Sequence, residues 1–222
     1  MKKIILSLVA AAAVVLPAHS DPLKDKEFNT MHSMGCMLLR ECTDNVKRIT
    51  SIQDLKDRYP DSDYSSVADE FNNIINAFDK IGVGVFLGDA KYFPVGHRGV
   101  YHTVSNNFFL NDAFMHRQGV LMSVTRHEGW HAAQDCMAGS INNNLIAIIH
   151  NEEDVPKIWQ DMAKSAYRDM PHAIPWEKEA FWAARTEGMT QKALESCARG
   201  KMWLDYDPTP LTRKWLEENG HL

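Results

Sequence analysis

Apolar residues recur every three or four positions along the N-terminal part of the chain, which is the spacing of a helix with one buried face. Phe28, Met31, Leu38, Cys42, Val46 and Ile49 predict an amphipathic helix over residues 24–50. Pro60-Asp61-Ser62-Asp63 reads as a turn. After it, Ser65 or Ser66 caps a second helix that turns Val67, Phe71, Ile74, Ile75 and Phe78 inward. The texture changes at Gly82. Short β-like runs occupy 83–87, 99–104 and 108–110, punctuated by Gly88-Asp89, Pro94 and Asn106-Asn107. Residues 104–108 have the composition of a hairpin turn. Beyond Asp112 the helical spacing runs to the C-terminus, with breaks at 139–144 and 170–175. The expected class is α+β: a mostly helical single domain with a small antiparallel sheet.

Composition narrows the setting. Met1-Lys2-Lys3, an apolar run from Ile4 to Leu16 and then Pro17-Ala18-His19-Ser20 have the three parts of a secretory signal, with cleavage expected after Ser20. As a helix that apolar run rises only about 20 Å, short of a bilayer core of about 30 Å. No later segment is long and apolar enough to span a membrane. The expectation is a secreted or periplasmic protein whose single domain is residues 21–222, without stable membrane insertion. The formal net charge of −5 comes without a basic block or arginine–aromatic interleaving, so nucleic acid is not an expected partner.

All four cysteines, Cys36, Cys42, Cys136 and Cys197, follow the signal segment, and an even count in an exported chain favours disulfides. If Cys36 and Cys42 share one helix, six residues separate them by about 240° and about 9 Å, too far for a bridge. The expected pairs therefore join the first helix to Cys136 and Cys197, in one order or the other.

Candidate chemistry concentrates at His127-Glu128-Gly129-Trp130-His131. On a helix, residues four apart lie about 40° apart round the axis and about 6 Å along it, so both imidazoles can grip one cation. Residues 118–139 contain no proline, keep helical spacing and stop at a glycine, so they supply that helix. Glu128 stands roughly 100° further round, outside the bite but within reach of a water beside the ion. Zinc with a neighbouring carboxylate suits attack of water on a carbonyl, Glu128 serving as general base.

This His-Glu-x-x-His run resembles the zincin metallopeptidases. Gln134 and Met137 replace the glycine and third histidine of the metzincin continuation, which excludes that branch. Glu152 and Glu153 lie near the spacing of a thermolysin-like third ligand, but Pro156 and Lys157 stand where its aspartate belongs. Trp176-Glu177-Lys178-Glu179-Ala180 resembles the Glu-x-Glu-Ala run of gluzincin-type peptidases, and the resemblance implies that Glu177 is the third zinc ligand. Phe181 departs from that pattern, where an aspartate often supports a ligand histidine; Asp135 or Glu179 could substitute. Glu177 and Glu179 are about 200° apart on a helix, so only one can face the metal. Glu177 falls on the stripe Ala180, Phe181, Ala184 and Gly188, whose small residues allow close approach to another helix, and Glu179 has less claim to a packed face. Glu179 and the Glu152–Glu153 pair stay open as alternatives. The zincin core also implies a sheet edge near 101–111 that pairs with an extended substrate. His172 and Tyr167 are candidates to stabilise an oxyanion.

The expected function is an exported zinc-dependent metallopeptidase acting on a peptide or protein substrate, with His127, His131 and Glu177 on Zn2+ and Glu128 as catalytic base. The alternatives are a non-catalytic exported protein with a structural or vestigial zinc site, and a disulfide-stapled binding module without metal.

Overall fold

A computed structural model describes residues 28–222; the expected signal segment, 1–20, lies outside the described residues. The first predicted helix is much shorter than its hydrophobic period suggested. Helix α1 is Met31–Leu38, started by a Thr30–Ser33 capping box. Arg40 then adopts φ 59° and Asn45 φ 57°, left-handed conformations that turn the chain. Phe28 and Met31, expected inward, are exposed, while Ile49 is buried. Cys42 folds back so that its N–H donates to the Cys36 carbonyl. The two cysteines are bridged, with Cα atoms 5.3 Å apart. This overturns the expectation that they could not pair, because its premise of one continuous helix fails. The other bridge joins Cys136 to Cys197.

Strand β1 (Lys47–Arg48) and helix α2 (Ile52–Arg58) follow. Ser51 caps α2 in a box with Asp54. Helix α3 (Ala68–Ile81) buries Phe71, Ile74, Ile75 and Phe78 as predicted, carries Asp69 and Glu70 in its first turn, and ends on Gly82 at φ 83°. Next come strands β2 (Gly84–Gly88), β3 (Gly99–His102) and β4 (Asn107–Asn111).

The sheet order is β1-β2-β4-β3. β1 runs antiparallel to β2, β3 runs antiparallel to β4 across the predicted hairpin, and β2 runs parallel to β4. The sheet is therefore mixed, not antiparallel. Residues 89–98, with Pro94 and with Gly96 at φ 90°, carry the chain past the inner position to the outer edge, so β4 returns beside β2 in the same direction. Period-2 alternation divides the side chains between two layers. Val85, Leu87, Phe108 and Leu110 enter the main core with α3 and the later helices. Phe109 enters a smaller cluster with Met34, Met37, Leu38, Tyr92 and Phe93, and Phe86 packs against it.

The remaining chain is helical: α4 (Gln118–Met137), α5 (Lys157–Ala166), α6 (Ile174–Ala184), α7 (Met189–Ala198), α8 (Met202–Asp205) and α9 (Pro210–Glu218). α4 is buried on most of its circumference, with Leu121, Thr125, Trp130, Ala132, Ala133 and Gln134 all inaccessible to solvent. It crosses α6 and α7 on one side and meets the sheet on the other. Gly129 permits the crossing: a Cβ there would meet Thr190 Cγ2 at 2.7 Å. Arg126 pairs with Glu70 of α3, whose Oε1 also accepts the Gly188 N–H at 2.9 Å, bracing α3, α4 and the turn before α7. Among the described residues no helix is long and apolar enough to cross a membrane.

The bridges close loops of very different size, 61 residues for Cys136–Cys197 and 6 for Cys36–Cys42. Replacing the first pair by serine is expected to lower unfolding stability by about 4 kcal/mol, and replacing the second by about 2 kcal/mol. Urea unfolding of the two double variants checks the order. Equal losses, or the reverse order, would contradict it.

Candidate metal centre

Helix α4 places His127 and His131 on successive turns, and Pro175 at the start of α6 sets Glu177 in that helix's first turn. The α4–α6 crossing brings the three side chains together. Glu177 Oε2 lies 3.2 Å from His127 Nε2, and Glu177 Oε1 lies 3.5 Å from His131 Nε2. The ligand atoms of these three residues fall within 4.8 Å of one another, the one such His, Cys, Asp or Glu group among the described residues. Donors about 2.0–2.2 Å from a common tetrahedral centre stand roughly 3.3 Å apart, so the observed spacing fits zinc. Glu177 Oε2 is moreover buried without a hydrogen-bond donor, as an oxygen directed at a cation would be. The three side chains retain 13–16% exposure.

Electrostatics match this geometry. Burial opposes ionisation of Glu177, but the His127 and His131 rings close beside its oxygens outweigh it and hold the carboxyl well below the usual range. Burial likewise opposes protonation of His131, yet Glu177 and then Glu128 push its pKa up to about 9.

Glu128 leaves the ligand cluster and turns toward the sheet. Its Oε2 accepts the backbone N–H of Tyr101 at 2.9 Å. Gly99 lets the strand come this close: a Cβ on it would lie 2.5 Å from Val124 Cγ1 and 3.4 Å from Glu128 Cγ. The Tyr101 phenol donates to Asp135 Oδ2 at 2.8 Å, binding β3 to α4 a second time. Asp135 is wholly buried and its Oδ1 has no partner. Desolvation pushes its pKa up to about 7, against the hydrogen bond from Tyr101.

The two histidines of the cluster have different supports. Phe181 stands edge-on to the His127 ring, with centroids 5.3 Å apart, where the resembled families often carry an aspartate. His131 Nδ1 lies 2.8 Å from Gln134 Oε1. Glu179, expected on a less packed side, has 0% exposure. The expectation fails because α6 is enclosed by α4, by α5 and by the backbone at 149–150. Glu179 accepts N–H bonds from Trp130, Gln134, Ile149 and His150. Burial raises its pKa, and these donors oppose the rise.

Other candidates separate clearly. Glu152 and Glu153 are exposed on a short turn, with Glu152 3.7 Å from Lys178 Nζ, and neither joins the cluster. His172 is exposed, whereas Tyr167, capping α5, stands close enough to Glu177 for that carboxylate to act on its phenol. Burial and then the carboxylates of Glu177 and Glu128 raise the Tyr167 pKa, keeping the phenol protonated. Sequence reasoning gave no role to Gln134 or the His150 backbone, and placed Tyr101 only on the expected substrate-pairing edge. The i,i+3 spacing from His131 to Gln134 was the one signal available. No family model matches this chain, and no match was found among curated proteins or solved structures.

Asp135 generates a pH prediction. A carboxyl with a raised folded pKa stabilises the fold fully below its unfolded pKa, and that contribution is lost as pH rises through the folded value. For Asp135 the window runs from 3.8 to about 7. Asp135→Asn keeps an acceptor for Tyr101 and cannot ionise. It is expected to gain stability relative to wild type as pH rises across this window and to hold that gain above it. The difference between the thermal midpoints of the two proteins isolates Asp135 from His131, which titrates between 6.5 and about 9. A difference independent of pH would contradict the assignment.

Proposed function

We propose that this chain is an exported zinc-dependent metallopeptidase of gluzincin type. The observation that carries the reading is the 3.2 and 3.5 Å spacing of two imidazoles and a carboxylate, with Glu128 beside but outside it. His127, His131 and Glu177 would hold the ion. Bound there, zinc supplies a Lewis acid for a carbonyl and lowers the pKa of a coordinated water toward about 7.

The chain's own groups divide the remaining work. Tyr101 N–H holds Glu128 Oε2, leaving Oε1 to take a proton from attacking water and later return it to the leaving amine. The protonated Tyr167 hydroxyl lies beside Glu177, where it can donate to the oxygen that gains negative charge. Strand β3 is the outer strand on this side of the sheet. Arg98 accepts from the Asn111 N–H, so along the register Val100 and His102 point their backbone groups toward β4, while Gly99 and Tyr101 point theirs outward. A peptide laid on that edge would find the carbonyls of Gly99 and Tyr101, with the Tyr101 N–H already engaged by Glu128. The two disulfides favour export.

The test pairs metal with activity. The purified protein is expected to hold one equivalent of zinc and to cleave casein in a chelator-sensitive manner. Glu128→Gln should keep the zinc and lose at least about a hundredfold in rate. Bound zinc with no cleavage of casein or a peptide library would contradict the peptidase and favour a structural site. No zinc after reconstitution would contradict the metal centre itself.

A further inference from the structure

Gln134 is wholly buried, and the partners of its amide leave one orientation. Its nitrogen donates to Glu179 Oε2 at 2.8 Å and to the Trp176 carbonyl at 3.2 Å. Flipping the amide would set its oxygen against two groups that can only accept when Glu179 is ionised. The Glu179 carboxylate is fixed in turn. Trp130 Nε1–H reaches it at 3.1 Å, and the backbone N–H groups of Ile149 and His150 at 3.0 and 2.7 Å. Every one of these partners is a donor without an acceptor of its own, so the carboxylate is an acceptor throughout.

We infer that Glu179 and Gln134 form a buried relay that holds His131 with a proton on Nδ1 and its Nε2 turned to Glu177. The amide oxygen faces Nδ1 at 2.8 Å and can only accept, so that nitrogen carries hydrogen. Nε2 is then the nitrogen left for a cation. The amide dipole lies with its nitrogen on the Glu179 charge and its oxygen on the imidazole, which strengthens the ligand's basicity. Glu179 is thereby a positioning residue and not a ligand, since both its oxygens are occupied by donors. His127 is flanked by the Phe181 ring, and among the described residues no amide or carboxylate bonds its Nδ1. The inference rests on the metal-site part of the reading above and is independent of peptide cleavage.

The experiment is long-range proton–nitrogen NMR of the histidine rings, on the full protein before and after zinc. His131 Nδ1–H is expected as a slowly exchanging, low-field resonance in both states, with zinc shifting Nε2. In Gln134→Leu that resonance should vanish into fast exchange, and zinc affinity measured against a chelating dye should fall about 10–100-fold. A wild-type His131 that binds zinc through Nδ1, or whose Nδ1 proton exchanges freely, overturns the relay. So does a folded Gln134→Leu protein with wild-type zinc affinity. If the variant fails to fold, the wild-type spectra decide alone. A protected Nδ1–H in wild-type protein that takes up no zinc would support the relay while sinking the metal reading.

Discussion

Two imidazoles on one helix cannot complete a tetrahedral site, and the nearest carboxylate on their own helix, Glu128, points the wrong way. The third group must come from another element, held to a few tenths of an ångström. Here it is the crossing of α6 over α4 that brings Glu177 within 3.2 and 3.5 Å of the two Nε2 atoms. Small residues make close approach possible, with Ala180, Ala183 and Ala184 of α6 and Ala132 and Ala133 of α4 all buried. Gly129 does the same toward α7, and the Cys136–Cys197 bridge ties α4 to that helix covalently.

The polar groups inside this packing are arranged by charge. Glu177 is exposed to positive charge from two histidines and lies in the first turn of α6, where the helix dipole also favours a carboxylate. Glu179, two residues on, is deep and lacks a cation, and is satisfied by N–H donors alone. Asp135 has one donor and no countercharge, and its raised pKa follows from that shortage. Within one site region the Glu177 carboxyl is thus held low while those of Glu179 and Asp135 are pushed up, because their partners differ.

Much of this was legible in the order of residues. Helix α4, its glycine stop, the inward stripe of α3 and the β3–β4 hairpin follow from local period and turn chemistry. The gathering of His127, His131 and Glu177 was anticipated by a motif and a resemblance, and geometry alone could not have chosen Glu177 over Glu179. Local pattern misled where tertiary structure intervened. Apolar spacing through 24–50 hid the left-handed turns at Arg40 and Asn45, and with them the Cys36–Cys42 bridge. The parallel β2–β4 pair depends on where a ten-residue excursion delivers the chain, which no period encodes. Glu179 looked peripheral because a helix surrounded on three sides has no outer face to read. The contact between Tyr101 and Glu128 uses a backbone N–H, which carries no side-chain signature at all.

The most direct measurement is a crystal structure of zinc-loaded protein with anomalous differences collected across the zinc edge. The account requires a single peak about 2.0–2.2 Å from His127 Nε2, His131 Nε2 and a Glu177 oxygen, with Glu128 outside that shell. A peak on other residues, or imidazole rings splayed apart with no peak between them, would contradict it.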